Sequence, residues 1–120
     1  MYKLQGNIAE SKAILYFTEQ GYIVSKPLFE NTPYDLVVGQ DGKLYRVQVK
    51  STICLEHPSY RLDLRTKGGA GNTQEVKRVD SGNCDILFAT TPENSYVIPV
   101  DVFDGKGRIM LGDKYRDYVV

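Results

Sequence analysis

Apolar positions near the start of the chain repeat at helical spacing. The pattern predicts a helix from Leu4 to Gln20, and Gly21 suits the left-handed position that follows a helix end. Four residues at spacing i, i+3, i+4 and i+7 share one face of this helix: Glu10, Ala13, Ile14 and Phe17. Three of them suit a core, whereas the fourth is a carboxylate in the middle of the apolar stripe.

Strand-like runs separated by turn signals follow the helix. Tyr22–Leu28 predicts a first strand, weakened at its end by Pro27. Tyr34–Gly39 and Leu44–Lys50 predict a hairpin, because the Asp41-Gly42 dipeptide between them is a strong signal for a two-residue turn.

The second half of the chain adds further predicted elements. Tyr60–Thr66 alternates between apolar and polar residues and is expected to extend the same sheet, and Thr73–Val79 is expected to form a short helix. Apolar runs at Asp85–Thr90 and Tyr96–Phe103 follow, and a short strand is predicted at Arg108–Leu111. This order predicts an α/β fold in which at least one helix packs on a sheet.

Composition limits the class of protein. The chain has 120 residues, 42% hydrophobic and 25% charged, which predicts one folded domain over residues 1–120 rather than a disordered chain. No apolar run approaches the ~20 residues of a membrane span. Glu10 and Lys12 interrupt the apolar stretch near the N-terminus, so we expect no signal peptide, no membrane partner and a cytoplasmic location.

The rare residues exclude several kinds of metal site. One histidine, His57, and two cysteines, Cys54 and Cys84, are too few for a Cys/His structural zinc site or a HExxH metalloprotease. Cysteines thirty positions apart are expected to be reduced, buried thiols, with a disulfide as the alternative.

The predicted hairpin brings polar residues together. Asp35 is the only charged residue of its strand, and Gln48 and Lys50 share one face of the next. Counted outward from the turn, Asp35 lies opposite positions 48 to 50. Glu10, on the helix face that packs on this sheet, adds a second carboxylate.

This set of residues suits metal-assisted phosphodiester cleavage. Mg²⁺ prefers oxygen ligands, here Asp35, the Gln48 side-chain carbonyl and the Val49 backbone carbonyl, with Glu10 as a further ligand. Such an ion neutralises a phosphate and activates a water. Lys50 would orient that water or stabilise the charge that develops on the phosphate.

Each of these residues also has an ordinary structural interpretation. Asp35 would cap a strand or pair with Arg46. Gln48 and Lys50 would form a solvent-facing edge, and Glu10 an exposed helix position. A functional site therefore requires that all four residues lie close together in space.

The motifs Glu10, Pro33-Tyr34-Asp35 and Gln48-Val49-Lys50 resemble those of the PD-(D/E)xK nuclease superfamily. The resemblance covers about residues 5–66, and more weakly 84–99. It implies an αβββ core with a mixed central sheet packed by helices. Gln48 departs from the usual acid of the motif, which removes a negative charge and should weaken metal affinity.

A glutamine at this place is similar to one branch of that superfamily, the homing endonucleases encoded in group I introns of cyanobacteria. The resemblance implies a bacterial or phage-encoded enzyme in which Glu10, Asp35, Gln48 and Lys50 are catalytic. It further implies Mg²⁺ as cofactor, replaceable by Mn²⁺, and double-stranded DNA as substrate. Oligomers are typical of the branch, so a homodimer or homotetramer is expected.

Basic residues concentrate in the middle of a chain whose net charge is zero. Between residues 43 and 79 there are eight basic and three acidic residues, a net charge of +5. Arg61, Arg65 and Lys67 are candidate DNA contacts, together with the backbone of the Gly68–Gly71 loop. The alternative is that both arginines pair with acids such as Asp63 or Glu75.

Two rival functions and one structural question remain open. A Holliday-junction resolvase or phage repair nuclease would share the fold, and a binding module that has lost its metal would also explain Gln48. The C-terminal tail carries four apolar or aromatic residues that would form an interface or pack within the chain: Tyr115, Tyr118, Val119 and Val120.

Overall fold

In the computed structural model, which describes residues 2–67 and 76–120, a mixed five-stranded sheet lies at the centre of the fold. The helical segments are α1 (Tyr2–Glu19), α2 (Val100–Phe103) and a 3-10 helix (Asp113–Tyr118). The strands are β1 (Ile23–Ser25), β2 (Leu36–Gln40), β3 (Lys43–Ser51), β4 (Leu55–Glu56), β5 (Ser59–Asp63), β6 (Arg65–Lys67), β7 (Val76–Arg78), β8 (Ile86–Thr90), β9 (Ser95–Pro99) and β10 (Arg108–Leu111).

The predicted helix is confirmed, and it ends as the sequence indicates. After α1 the chain turns at Gly21, whose φ of +86° is in the left-handed region that glycine tolerates. Ala13 and Phe17 are fully buried against the sheet, whereas Ile14 is 37% exposed. The apolar stripe is therefore narrower than the spacing predicts.

The predicted hairpin is also confirmed. Gln40 pairs with Lys43 across a turn formed by Asp41 and Gly42, with φ values of 53° and 78°. Positive φ at both central residues is the type I′ geometry that Asp-Gly favours. The turn fixes the register, so Leu36 lies opposite Val47 and both side chains enter the core under α1.

The strand order of the central sheet is β1-β2-β3-β8-β9. Only the β3–β8 pair is parallel, and α1, β1, β2 and β3 follow one another as an αβββ unit. One face of the sheet packs under α1 through Phe17, Val38 and Phe88. The other face packs against a second core, to which Leu87 and Ile98 contribute. The predicted α/β fold is confirmed.

Tyr60–Thr66 does not extend this sheet, contrary to the prediction. The free edge of β3 is taken by β8 in parallel, so β5 pairs instead with β4 and β10 in a separate sheet. Arg65–Lys67 then pairs with β7 in a two-stranded ribbon. The buried side chains of Leu62 and Leu64 hold this region against the second core.

Other predicted bounds change as well. The first strand covers only Ile23–Ser25 of the predicted run, and Tyr96–Phe103 divides into β9 and α2. Residues 76–78 form a strand, so the predicted helix over Thr73–Val79 is wrong there. Residues 73–75 of that segment lie outside the described residues, as does the Gly68–Gly71 loop.

The tail and the cysteines adopt intramolecular arrangements. Tyr115 is buried in the second core, and the backbone N–H of Val120 donates to the Ser95 carbonyl at 2.9 Å. Cys54 and Cys84 are free thiols, as expected, although only Cys84 is fully buried. Burial raises the pKa of the Cys84 thiol to about 11, which keeps it protonated and unreactive. Among the described helices, none is long and apolar enough to span a membrane.

Candidate active site

Asp35 is the residue immediately before β2, and its carboxylate reaches the neighbouring strand. Its backbone N–H donates to the Val47 carbonyl at 2.9 Å, which continues the hairpin register. Its Oδ2 accepts hydrogen bonds from the Val49 backbone N–H at 2.7 Å and from Gln48 Nε2 at 3.2 Å. The predicted meeting of Asp35 and Gln48 on one face of the sheet is therefore present in the structure.

Burial and neighbouring charges act on Asp35 in opposite directions. Its pKa lies above the ordinary value, mainly because burial disfavours the charged carboxylate. The hydrogen bond from Val49 lowers the pKa, the negative charge of Glu10 raises it, and the positive charges of Lys50 and Lys26 lower it. The carboxylate is thus held in a site where its own charge is unfavourable, and where added positive charge would stabilise it.

Val49 approaches Asp35 through its backbone. Because the N–H and C=O of one residue in an extended strand point to the same side, the Val49 carbonyl lies on the strand edge that faces Asp35. β2 begins only at Leu36, so it does not cover this stretch of β3. The Val49 carbonyl predicted as a metal ligand is therefore on the edge of β3 that faces Asp35.

Gln48 presents its amide nitrogen, rather than its oxygen, to Asp35. This orientation suits a hydrogen bond between neighbours, whereas a metal ligand must present an oxygen. A ligand role for Gln48 requires its side-chain amide to flip, which exchanges the positions of nitrogen and oxygen. The structure thus brings Gln48 to the predicted place in a donor orientation.

Glu10 projects from α1 toward the same region and forms an ion pair with Lys26. It lines a cleft together with Glu30, Asp35, Val49 and Lys50. The helix acid, the strand acid and the strand lysine predicted from the sequence therefore border one cleft of about 660 Å³.

A second cleft of similar volume also borders Asp35. It is lined by Asp35, Gln48, Lys50, Arg78 and Asn83, among others. Asp35 and Lys50 are shared by both clefts, which places them at the boundary between the two. A linear polymer lying along both clefts would pass these two residues.

Sequence reasoning missed two charged residues of this region, Glu30 and Lys26. Glu30 borders both clefts, and Lys26 pairs with Glu10. Both belong to the irregular segment between β1 and β2, which reaches α1 through the Lys26–Glu10 pair. Their charges near the motif were visible in the sequence, but their approach to the site was not.

The structural alternative for Asp35, pairing with Arg46, is wrong. Arg46 binds Asp85 instead, with its backbone N–H at 2.7 Å from Oδ2 and its Nε at 3.2 Å. Arg46 therefore stabilises the start of the parallel β3–β8 pair and leaves Asp35 to the cleft.

The predicted DNA contacts separate into different environments. Arg61 pairs with Glu56 at 2.7 Å and lies 3.8 Å from Asp63, so the alternative interpretation holds for this residue. Arg65 is exposed and lies directly opposite Arg78 across the β6–β7 ribbon. Lys67 ends β6, and its side chain lies outside the described part of the structure.

The residues at Asp35 suit a hard divalent cation with mixed oxygen ligands. Within residues 2–67 and 76–120, no three His, Cys, Asp or Glu side chains are arranged to hold a metal ion. Mg²⁺, however, commonly uses one or two carboxylates and completes its coordination with other oxygens and water. One partly buried carboxylate, a backbone carbonyl and an adjacent acid on α1 form a set of that kind.

Comparisons with known proteins agree with this geometry. The PD-(D/E)XK endonuclease family matches residues 1–111. Protein 5.3 of Escherichia phage T7 is 29% identical over 113 residues, which cover 94% of this chain and 92% of that protein. The solved structure of a bacterial homing endonuclease, I-Ssp6803I, is 33% identical with a TM-score of 0.81, and the match covers 98% of this chain and 87% of that one.

These matches confirm the family resemblance drawn from the acid, amide and lysine motifs. They also agree with the observed α1-β1-β2-β3 order and mixed sheet. Since the family is one of nucleases and its match spans nearly the whole chain, this protein belongs to the PD-(D/E)XK endonuclease family.

Proposed function

We propose that this chain is a Mg²⁺-dependent DNA endonuclease of the homing type, in which Mn²⁺ can replace Mg²⁺. The observation that carries the proposal is the contact of the Asp35 carboxylate with Gln48 and the Val49 backbone, beside Lys50 at the boundary of two clefts. The homing type is supported by the likeness to I-Ssp6803I. The proposal covers residues 1–120 as one domain in a cytoplasmic, bacterial or phage-encoded protein, for which the phage T7 relative is the support.

Asp35 and Val49 hold the metal ion in this proposal, with Glu10 and a turned Gln48 amide as further ligands. When bound there, the ion supplies positive charge at the scissile phosphate and activates a water. Lys50 orients that water or stabilises the negative charge that develops on the phosphate oxygens. Glu10, Asp35, Gln48 and Lys50 are the proposed catalytic residues.

Double-stranded DNA is the proposed substrate, and the β6–β7 ribbon is its proposed contact. Arg65 and Arg78 are direct partners across the ribbon, and like charges in that position repel unless an anion lies between them. Arg78 also lines the cleft that contains Asp35. Phosphates of a bound strand would relieve this repulsion, with Lys67 and Arg61 as additional, weaker contacts.

An oligomer, a homodimer or homotetramer, is part of the proposal for a chemical reason. One active site cuts one strand, so double-strand cleavage most simply requires two copies of the chain. Two-fold symmetry would also place two sites on the two antiparallel strands of a duplex.

A catalytically inactive DNA-binding module is the second candidate, and one observation favours it. Gln48 donates a hydrogen bond to Asp35, so the two groups satisfy each other without a metal ion. A Holliday-junction resolvase or phage repair nuclease remains a variant of the first candidate that differs in substrate rather than chemistry.

Cleavage assays distinguish these candidates. Supercoiled plasmid, a four-way junction and long linear DNA are incubated with the protein and Mg²⁺ or Mn²⁺, with EDTA as the metal-free control. Asp35→Asn and Lys50→Ala should abolish cleavage. Their matched controls are Asp41→Asn, in an exposed turn, and Lys43→Ala, an exposed residue of the same strand as Lys50, and both should retain it.

The outcomes assign the function. Cutting at rare sites in long DNA identifies the homing type, and cutting of the junction alone identifies a resolvase. A folded protein that binds DNA but cuts no substrate with either metal contradicts the nuclease proposal and identifies a binding module.

A further inference from the structure

Lys26 connects the segment after β1 to the acid of helix α1. Its ammonium group forms an ion pair with Glu10 Oε1. The two partners differ in exposure: the Glu10 side chain is 22% exposed, whereas that of Lys26 is 65% exposed. The carboxylate is thus fixed in the site wall, and the lysine reaches it from solvent on a flexible four-carbon stem.

The positive charge of Lys26 acts on the acids that border the clefts. Glu10, Glu30 and Asp35 line the same cleft. The hydrogen bond to Glu10 raises the pKa of Lys26, and the charges of Glu10, Asp35 and Glu30 raise it further. In turn, Lys26 lowers the pKa of Asp35. Lys26 therefore supplies positive charge to the carboxylates that a divalent cation would bind.

A lysine and a metal ion cannot both hold Glu10 without repulsion. Both are cations, and the unfavourable Coulomb energy between them rises as their separation falls to a few ångströms. An exposed Lys–Glu pair is weak in water because solvent screens it. A divalent ion is therefore able to displace the ammonium group, but it binds less tightly than it would to an unoccupied carboxylate.

We propose that Lys26 is an internal cation that competes with the divalent metal ion for Glu10. It stabilises the metal-free arrangement of Glu10 and must release this carboxylate when the metal binds. The inference rests on the proposed metal-dependent function, because it concerns the same acids. Lys26 lies outside the family motif, and in this proposal it tunes the metal affinity of the site.

Calorimetric titration of Mn²⁺ into the full chain without DNA tests this competition. Lys26→Met should tighten the apparent dissociation constant by about 3- to 10-fold, because the competing charge is gone. Lys12→Met is the matched control, since it removes the same charge from an exposed position of α1, two residues from Glu10. It should change the constant less than about twofold. In a Glu10→Gln background, the effect of Lys26→Met should be smaller than in the wild type, because only the interaction of Lys26 with Asp35 and Glu30 then remains.

The possible results separate this inference from the proposed function. If the wild type binds Mn²⁺, and the Lys26→Met and Lys12→Met variants bind it with equal affinity, the competition is overturned. The proposed metal-dependent function is then left intact. Weaker uptake by Lys26→Met also overturns it, since Lys26 would then support the bound metal. An absence of Mn²⁺ uptake by the wild type contradicts the proposed function and the inference with it. Circular dichroism of each variant excludes misfolding as the cause.

Discussion

Two aspartates of this protein have the same backbone environment and opposite electrostatics. Asp35 precedes β2 and Asp85 precedes β8, and the carboxylate of each accepts a backbone N–H of β3 at 2.7 Å. The Arg46 side chain lowers the pKa of Asp85, whereas burial raises the pKa of Asp35. The hydrogen bond that both carboxylates accept fixes the position of the strand that follows. The groups around each carboxylate determine whether its pKa is lowered or raised.

The difference supports the proposed division of roles, in which Asp85 is structural and Asp35 is catalytic. Asp85 has its counter-ion within the fold, so its charge stabilises the junction of β3 and β8. Asp35 lies between Glu10 and two lysines at a cleft boundary, where its charge is costly without an added cation. Carboxylates in clefts whose pKa is shifted by burial and by neighbouring charges are typical of functional sites.

The largest expected difference between the two aspartates is in activity. Asp35→Asn should lower the rate of DNA cleavage at least ~100-fold, because it removes the anionic ligand of the metal. Asp85→Asn should retain cleavage per folded molecule. Rates of plasmid nicking at saturating Mg²⁺ measure both, and equal losses for the two variants would contradict the assignment.

For the stability of the fold, unlike for activity, substitution of Asp85 should have a larger effect than substitution of Asp35. Asp85→Ala removes the acceptor of several Arg46 hydrogen bonds and should lower the free energy of unfolding by about 1–2 kcal/mol, a range that allows for solvent screening of this partly exposed pair. Urea denaturation at neutral pH measures the change. No loss of stability in Asp85→Ala would show that the Arg46 pair does not anchor the strands.

Gln48→Glu tests how far added negative charge improves the site. The substitution removes a hydrogen-bond donor to Asp35 and adds a carboxylate ligand, so Mg²⁺ or Mn²⁺ affinity should stay equal or rise by up to ~10-fold. Calorimetric titration measures it, with Gln40→Glu as the control for charge alone on the same hairpin. Weaker metal uptake by Gln48→Glu would exclude a ligand role at this position.

The smallest expected effect is on the pH dependence of stability. Because the pKa of Asp35 is raised on folding, its ionisation destabilises the protein at pH values above the folded-state pKa. Asp35→Asn should therefore increase the free energy of unfolding at pH 7, by less than about 1 kcal/mol. The gain should shrink as the pH falls toward and below the ordinary aspartate value of 3.8.

Asp85 should show the opposite trend in the same experiment. Its pKa is lowered on folding, so its stabilising contribution is complete above the ordinary value of 3.8 and is lost as the pH falls through the lower folded-state value. Urea denaturation of Asp35→Asn and Asp85→Asn over this range compares the two. Parallel pH profiles for both variants would contradict the electrostatic contrast.

The sequence predicted those parts of the fold that local signals determine. Helix α1 follows from apolar spacing and Gly21, and the β2–β3 register follows from the Asp41-Gly42 turn. That register, in turn, predicted the meeting of Asp35 and Gln48. The pattern around Asp35 was not sufficient alone, since Asp85 also precedes an apolar strand, and the Gln48-Val49-Lys50 motif supplied the distinction.

The parts of the fold and of the site that the sequence did not predict depend on non-local contacts. β5 does not extend the central sheet because β8, 27 residues after Ser59, occupies the edge of β3. Lys26 and Glu30 reach the site through an irregular segment that no short pattern describes. The donor orientation of Gln48 is set by the carboxylate beside it, which the strand pattern does not specify.

In the proposed site, Asp35 holds a divalent cation and Asp85 does not. The most direct test is a crystal structure of the wild-type chain with Mn²⁺, in which anomalous scattering locates the metal. We predict a peak within ligand distance of the Asp35 carboxylate and the Val49 carbonyl, and none at Asp85. A bound Mn²⁺ at Asp85, or no peak beside Asp35 at saturating Mn²⁺, would show that Asp35 is not the metal-binding carboxylate.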